Sequence, residues 1–398
     1  MTQHHTAPDA ATAPTGTADA PRIRSLSTRL IRVPLLRPWG PDVRSISLIE
    51  TVVRDDEGAE GFGFSWTPSI GAHAAQALLD HDIAAFAVGR SSDPEVLWPE
   101  LWRHLHEAGS GGLTTIAMAG LDLALWDLSA RRTSSGLVET LGGQRSRPEV
   151  YGSGVNLHYS LDELMAQAGR WVDAGFDAVK MKVGSPRLAD DVERVSAVRD
   201  TIGPGRRLMI DANQRWNIDQ AERALDALAE FDLAWIEEPL RADDLPAHVL
   251  LRERTTVPIA LGENVHTRYR FDEFLRAGVV DVVQPNAVRV GGITAFREIA
   301  ALAESFGVQV APHLLLELSG QLAATFDSPT LVESVEDASF DALGVLAAPA
   351  PVRVHGSTLV ITEHDGLGIR FAAAPSATAT GPAGPPDPSP STTKRMPR

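Results

Sequence analysis

Eight short apolar runs, recurring roughly every 20 to 30 residues, constrain this chain more than any other feature. They are VYGSGV, AVKMKV, LMIDAN, LAWIEE, PIALGE, VDVVQP, VQVAPH and LVESV, between Val150 and Val335. Segments with helical apolar spacing separate most of them, among them SLDELMAQAGRWVDAG and QAERALDALAEF. Regular alternation of strand and helix predicts a parallel α/β sheet, and eight strands argue for a closed barrel. An open doubly wound sheet calls for a glycine-rich phosphate loop after its first strand. The only double glycine in the alternating region, Gly291-Gly292, follows the sixth strand instead.

The rest of the chain divides around this block. Residues 1–21 and 375–398 are rich in Pro, Gly, Ser, Thr and Ala, a composition that favours disorder. Residues 22–147 read as strands up to Gly63 and helices over 72–142, which suggests a compact α+β domain. The barrel occupies 148–350. Residues 351–374 read as strands and a turn, expected to pack back on the N-terminal domain.

Composition excludes several classes of function. The chain lacks cysteine, so disulfides, thiolate metal sites and cysteine nucleophiles are absent. A net charge of −16 is a poor basis for binding a phosphate backbone. No run of eighteen uncharged apolar residues suggests a membrane span, and the N-terminus lacks the basic and apolar parts of a signal peptide. The expectation is a cytoplasmic protein with neither nucleic-acid nor membrane partners.

The chain has only three lysines: Lys180, Lys182 and Lys394. Arginine supplies nearly all the positive charge, yet two lysines stand two positions apart at the end of the second strand. Arginine does not release its proton in a protein, whereas a buried lysine can be tuned to act as a base. Alternation points both lysines into the barrel mouth, the catalytic face of such folds. Other strand ends carry Asp211 and Asn213, Glu237 and Glu238, Glu263 and Asn264, Asn286, His313 and Glu333. Asp211, Glu237 and Glu263 are 26 residues apart in each step, one βα unit at a time. Three hard oxygen ligands on adjacent strands suit one magnesium ion. Glu238, next to Glu237, is expected to face the other way.

These residue types point to removal of a proton beside a carboxylate. The resulting enediolate carries a second negative charge, which a divalent cation stabilises. Lys182 is the expected base, its pKa lowered by the cation and by Lys180. Lys180 is the expected charged partner of the substrate carboxylate, and His313 an acid or second base across the mouth. Glu333, if protonated, is a candidate hydrogen-bond donor to that carboxylate. Asn213, Arg44 and Trp66 are candidate substrate contacts, the last two from the loops near 38–45 and 65–72. His104 and His106 fall on a polar helical stretch and are expected to face solvent.

KMK at 180–182, DANQRW at 211–216, IEEP at 236–239, GEN at 262–264 and APH at 311–313 together resemble the enolase superfamily, mandelate racemase subgroup. GLDLALWDL at 120–128 and DGLGI at 365–369 resemble it too. The resemblance spans roughly residues 23 to 371. It implies a modified (β/α)7β barrel with an N-terminal α+β capping domain, a homo-oligomer, magnesium on Asp211, Glu237 and Glu263, and Lys182 as base. The muconate-lactonising and dipeptide-epimerase branch places a catalytic lysine on strand six, and here strand six has no lysine, only Arg289. Asn286 departs from the subgroup, which has aspartate paired with the histidine there. Asparagine carries no charge to support a second base, which counts against racemisation. The overall pattern is most similar to sugar-acid dehydratases of the aldarate type, such as galactarate or talarate dehydratases, which form 2-keto-3-deoxy acids. An epimerase or cycloisomerase, and a non-catalytic relative, are the alternatives.

Overall fold

The computed structural model describes residues 21–372 except Arg145. Apart from Pro21, the expected disordered tails therefore lie outside the described residues. Three antiparallel strands, β1 (Ile23–Trp39), β2 (Val43–Asp55) and β3 (Glu60–Thr67), open the chain. Helices follow, the longest being Leu113–Arg132. By length and composition alone that helix could cross a membrane, but most of it is buried inside the protein. Its backbone lies directly on β3. A Cβ at Gly61 would meet the Ala124 carbonyl oxygen at 2.0 Å, and one at Gly63 would meet that of Gly120 at 2.3 Å. Only glycine allows this approach.

Eight parallel strands form the barrel: β4 (Glu149–Ser153), β5 (Ala178–Lys182), β6 (Arg207–Asp211), β7 (Leu233–Glu237), β8 (Ile259–Leu261), β9 (Val282–Val283), β10 (Gln309–Val310) and β11 (Leu331–Val335). Ladders run in order from β4 to β10, and β11 pairs with β4. Among the described residues no ladder joins β10 to β11. At the mouth the Leu314 N–H crosses that gap to the Glu333 carboxylate, 3.0 Å away. A helix follows each of the first seven strands. Local sequence starts several of them: Ser160 with Glu163, and Asn217 with Gln220, form reciprocal capping boxes.

Each strand sends one apolar side chain to the barrel interior: Tyr151, Ala178, Met209, Trp235, Ala260, Val282, Ala311 and Leu331 form a cluster of their own. Two residues further along most strands come Ser153, Lys180, Asp211, Glu237, Gln284, His313 and Glu333. Period-two alternation thus sets a layer of polar and charged groups on an apolar floor.

The segment after the barrel differs from expectation. Its hairpin, β12 (Val352–His355) and β13 (Thr358–Ile361), joins the barrel through β4. The stretch beyond it reaches the capping domain, where Leu367 N–H donates to Asp127 at 2.7 Å and Phe371 packs edge-on to Phe64. The GLDLALWDL motif is the clamp between the two domains. Asp122 accepts the Thr294 backbone N–H at 3.0 Å and its hydroxyl at 2.5 Å, capping the barrel helix Ile293–Ser305. Trp126 Nε1 donates to the same hydroxyl at 2.9 Å. Gly292 sits at φ 106°, and a Cβ there would meet Asp122 at 2.2 Å.

Asp122→Ala should destabilise the protein by about 1–3 kcal/mol, because it leaves a helix N-terminus and a buried hydroxyl without their acceptor. Burial pushes the Asp122 carboxyl from 3.8 up to about 7, against the hydrogen bonds from Thr294. The folded state therefore holds a proton that the unfolded chain releases. Stability from this group is full below pH ~4 and is lost as pH rises toward 7. Thermal melts of wild type and Asp122→Asn between pH 4.5 and 7.5 test this. The wild type should lose more stability with rising pH, and parallel curves would contradict the assignment.

Candidate active site

Lys180 and Lys182 leave β5 on the same side, and both are buried. Lys180 Nζ lies 2.8 and 2.7 Å from the two oxygens of Glu237, 2.8 Å from Glu333 and 3.8 Å from Asp211. Lys182 Nζ lies 2.5 Å from Asp211, and its backbone N–H is held by Asn156 Oδ1 at 2.9 Å. Ligand oxygens of Asp211, Glu237 and Glu263 lie within 4.8 Å of one another, and all three residues are buried. The protein's own groups leave this cluster too negative. Burial and Asp211 push the Glu237 carboxyl up to about 8 against the pull of Lys180. Three close hard-oxygen donors short of positive charge fit magnesium, which binds such oxygens at about 2.1 Å.

Surrounding amides hold the carboxylates in place. The Asn213 N–H donates to Asp211 at 2.7 Å, and the exposed Asn213 side chain stays beside it. Gln284 Nε2 donates to Glu237 at 2.6 Å. Asn264 Nδ2 donates to Glu263 at 3.0 Å and to Glu238 at 2.9 Å. Glu238 corrects the alternation argument. With φ at 41° the chain turns at the strand end, so its buried carboxylate stays near the cluster and takes amides from Gln214 and Asn264. Burial, with Glu263 and Asp211 nearby, holds its carboxyl well above the usual range.

Two electrostatic expectations change. Burial and Lys180 oppose the charge on Lys182, yet Asp211, Glu263 and Glu237 together outweigh them and raise its pKa above the ordinary value. Any lowering must come from a cation that takes over Asp211. Glu333 is also no hydrogen-bond donor. Burial acts to raise its pKa, but Lys180, His313 and Lys182 together override this and hold it at about 2. It accepts from Ser153 Oγ at 2.7 Å, from Leu314 N and from Lys180. It therefore anchors Lys180.

His313 follows β10, three strands round the barrel from β5. Its Nε2 lies 2.7 Å from Glu263 Oε2, and its Nδ1 lies 3.1 Å from Asn286 Nδ2. The capping-domain candidates separate. Trp66 is buried, 6.4 Å from Trp39 between ring centres, with the Arg289 guanidinium 5.6 Å from its ring. Arg44 is exposed near the start of β2. His104 and His106 are exposed. Ser153 and Gln284 were missed in the sequence; the signal for Gln284 was its place two residues before Asn286 on an inward-facing run.

A (β/α)7β barrel with an α+β cap, a carboxylate triad and a lysine pair at its mouth defines a class of enzymes that act beside carboxylates. Residues 163–374 match the family described as enolase C-terminal domain-like, and residues 42–142 match the mandelate racemase / muconate lactonizing enzyme N-terminal domain. The chain belongs to the enolase superfamily, mandelate racemase subgroup. It is 37% identical over 317 residues to 3,6-anhydro-alpha-L-galactonate cycloisomerase of Streptomyces coelicolor, covering 78% of this chain and 88% of that protein. It is 34% identical to L-talarate/galactarate dehydratase of Salmonella typhimurium over 295 residues, 73% of each. The structure of L-talarate dehydratase from Polaromonas sp. JS666, complexed with Mg and L-glucarate, superposes with TM-score 0.80 at 33% identity, covering 89% of this chain and 96% of that one.

Magnesium added to the metal-stripped protein should raise its melting temperature. At a hundred times Kd the gain is about 2.7 kcal/mol. Asp211→Asn should reduce the shift to near zero. An equal shift in both proteins, read by scanning calorimetry, would contradict the placement.

Proposed function

We propose that this protein is a magnesium-dependent sugar-acid dehydratase that removes the proton α to a carboxylate and expels the β-hydroxyl, giving a 2-keto-3-deoxy acid. The observation that carries the reading is the lysine pair set against three buried carboxylates whose oxygens lie within 4.8 Å. Asp211, Glu237 and Glu263 would hold the magnesium, which, when bound, stabilises the negative charge that develops on the substrate carboxylate.

The protein's own residues divide the remaining work. Lys180 is fixed between Glu237 and Glu333, so it remains an ammonium and attracts the substrate carboxylate. Lys182 is held by Asp211 alone among the carboxylates within ion-pair distance. Once that hold is shared with a cation, its amine is the group able to take the α-proton. His313 assists departure of the β-oxygen. The names of the dehydratase relative and of the glucarate complex support a sugar acid as substrate.

The Streptomyces relative favours a second reading, a cycloisomerase. The first step is the same. If the β-oxygen belongs to a ring ether, its expulsion opens the ring and nothing leaves the molecule.

A panel of mono- and diacid sugars, incubated with enzyme and magnesium and assayed for 2-keto acid, should reveal at least one substrate. No turnover across the panel would reject the dehydratase. A 2-keto acid with the molecular mass of its substrate would establish the second reading. Lys182→Ala should lower kcat by about 10²–10⁴-fold. Lys182→Arg should not restore it, since a guanidinium does not release its proton. An active Lys182→Arg would assign the base elsewhere.

A further inference from the structure

We infer that Asn286 is a positioning residue that fixes His313 in the tautomer with its proton on Nε2, so that the site has one base and deprotonates only one configuration at the α-carbon. The amide's own orientation is set by the backbone. Its Oδ1 accepts the N–H groups of Val288 and Arg289, each at 3.1 Å. Its Nδ2 then faces His313, 3.1 Å from Nδ1 and 3.3 Å from the carbonyl oxygen. Turning the amide over would set Nδ2 against two backbone donors and leave them without an acceptor, at a fully buried residue.

An amide N–H aimed at Nδ1 needs a lone pair there. The one proton of the neutral ring therefore resides on Nε2. Aspartate at 286 would reverse the arrangement. One carboxylate oxygen would serve Val288 and Arg289, the other would accept from Nδ1–H, and Nε2 would present a lone pair to the mouth. A second base requires that lone pair, and Asn286 withholds it.

With Lys182 the sole base, its amine takes the α-proton and the C–H electron pair moves into the carboxylate. When the step reverses, the proton returns from the same nitrogen to the same face. An acid of opposite α-configuration keeps its proton. This consequence for substrates rests on the proposed function; the tautomer does not.

Nitrogen-15 NMR of the histidine-labelled, magnesium-loaded protein reads the tautomer directly, with the resonances assigned by their loss in His313→Gln. The wild type should give a pyridine-like Nδ1 and a pyrrole-like Nε2, and a pyrrole-like Nδ1 would overturn the inference. Exchange in D2O reads the consequence, with D-gluconate and D-mannonate as α-epimeric probes. The wild type should exchange one member of the pair without interconversion. Asn286→Asp should exchange the other at least ten-fold faster than the wild type does, and should interconvert the two. Interconversion by the wild type would overturn the inference, as would an Asn286→Asp variant with a switched tautomer and no gained exchange. An Nε2–H tautomer with no exchange of any probe would support the positioning role while rejecting the sugar-acid reading.

Discussion

The rest of the structure depends on one electrostatic constraint: five carboxylates buried at a single barrel mouth. Asp211, Glu237, Glu238, Glu263 and Glu333 each have 8% or less of their surface exposed, and the described residues contain just two lysines to set against them. Like charges that close in a poorly hydrated place raise one another's pKa. That is why Glu237 resists ionisation despite two short bonds to Lys180. The arrangement is incomplete without further positive charge, and a divalent cation on the triad supplies it. The same ion would weaken the grip of Asp211 on Lys182, so in the proposed mechanism metal binding and activation of the base would be one event.

The fold meets this constraint with layers. Eight apolar side chains, one from each strand, seal the barrel below the charges and keep the ammonium and carboxylate groups at a common height. The capping domain is locked on by Asp122, which caps a barrel helix, and by Asp127, which accepts N–H groups from Phe62 and Leu367. Trp66 then lies against Arg289, an arginine whose Nη1 donates to the Glu263 carbonyl oxygen at 3.0 Å. The cap is thus coupled to the strand end that carries a triad carboxylate.

Much of this was legible in the sequence because it follows from period. Strand alternation places Lys180 and Lys182 together, and a 26-residue repeat aligns Asp211, Glu237 and Glu263 on neighbouring strands. What escaped depends on contacts or on the ends of elements. Glu238 was assigned to the wrong side because alternation stops where the backbone enters positive φ. The charge state of Glu333 depends on Lys180, 153 positions away in the chain. The 352–361 hairpin gives a clear strand pattern, but its partner, β4, is chosen by tertiary packing. Arg44 and Trp66 both lie near the cap's turns, and only the fold separates an exposed tip from a buried ring.

The central claim is that a cation on the triad frees Lys182. A crystal structure soaked with manganese in place of magnesium, read by anomalous scattering, tests it most directly. The account predicts one peak among the Asp211, Glu237 and Glu263 carboxylates, with Lys182 Nζ no longer paired to Asp211 and Lys180 still held by Glu333. A peak elsewhere, or a Lys182 ammonium still bound to Asp211 beside the ion, would contradict it.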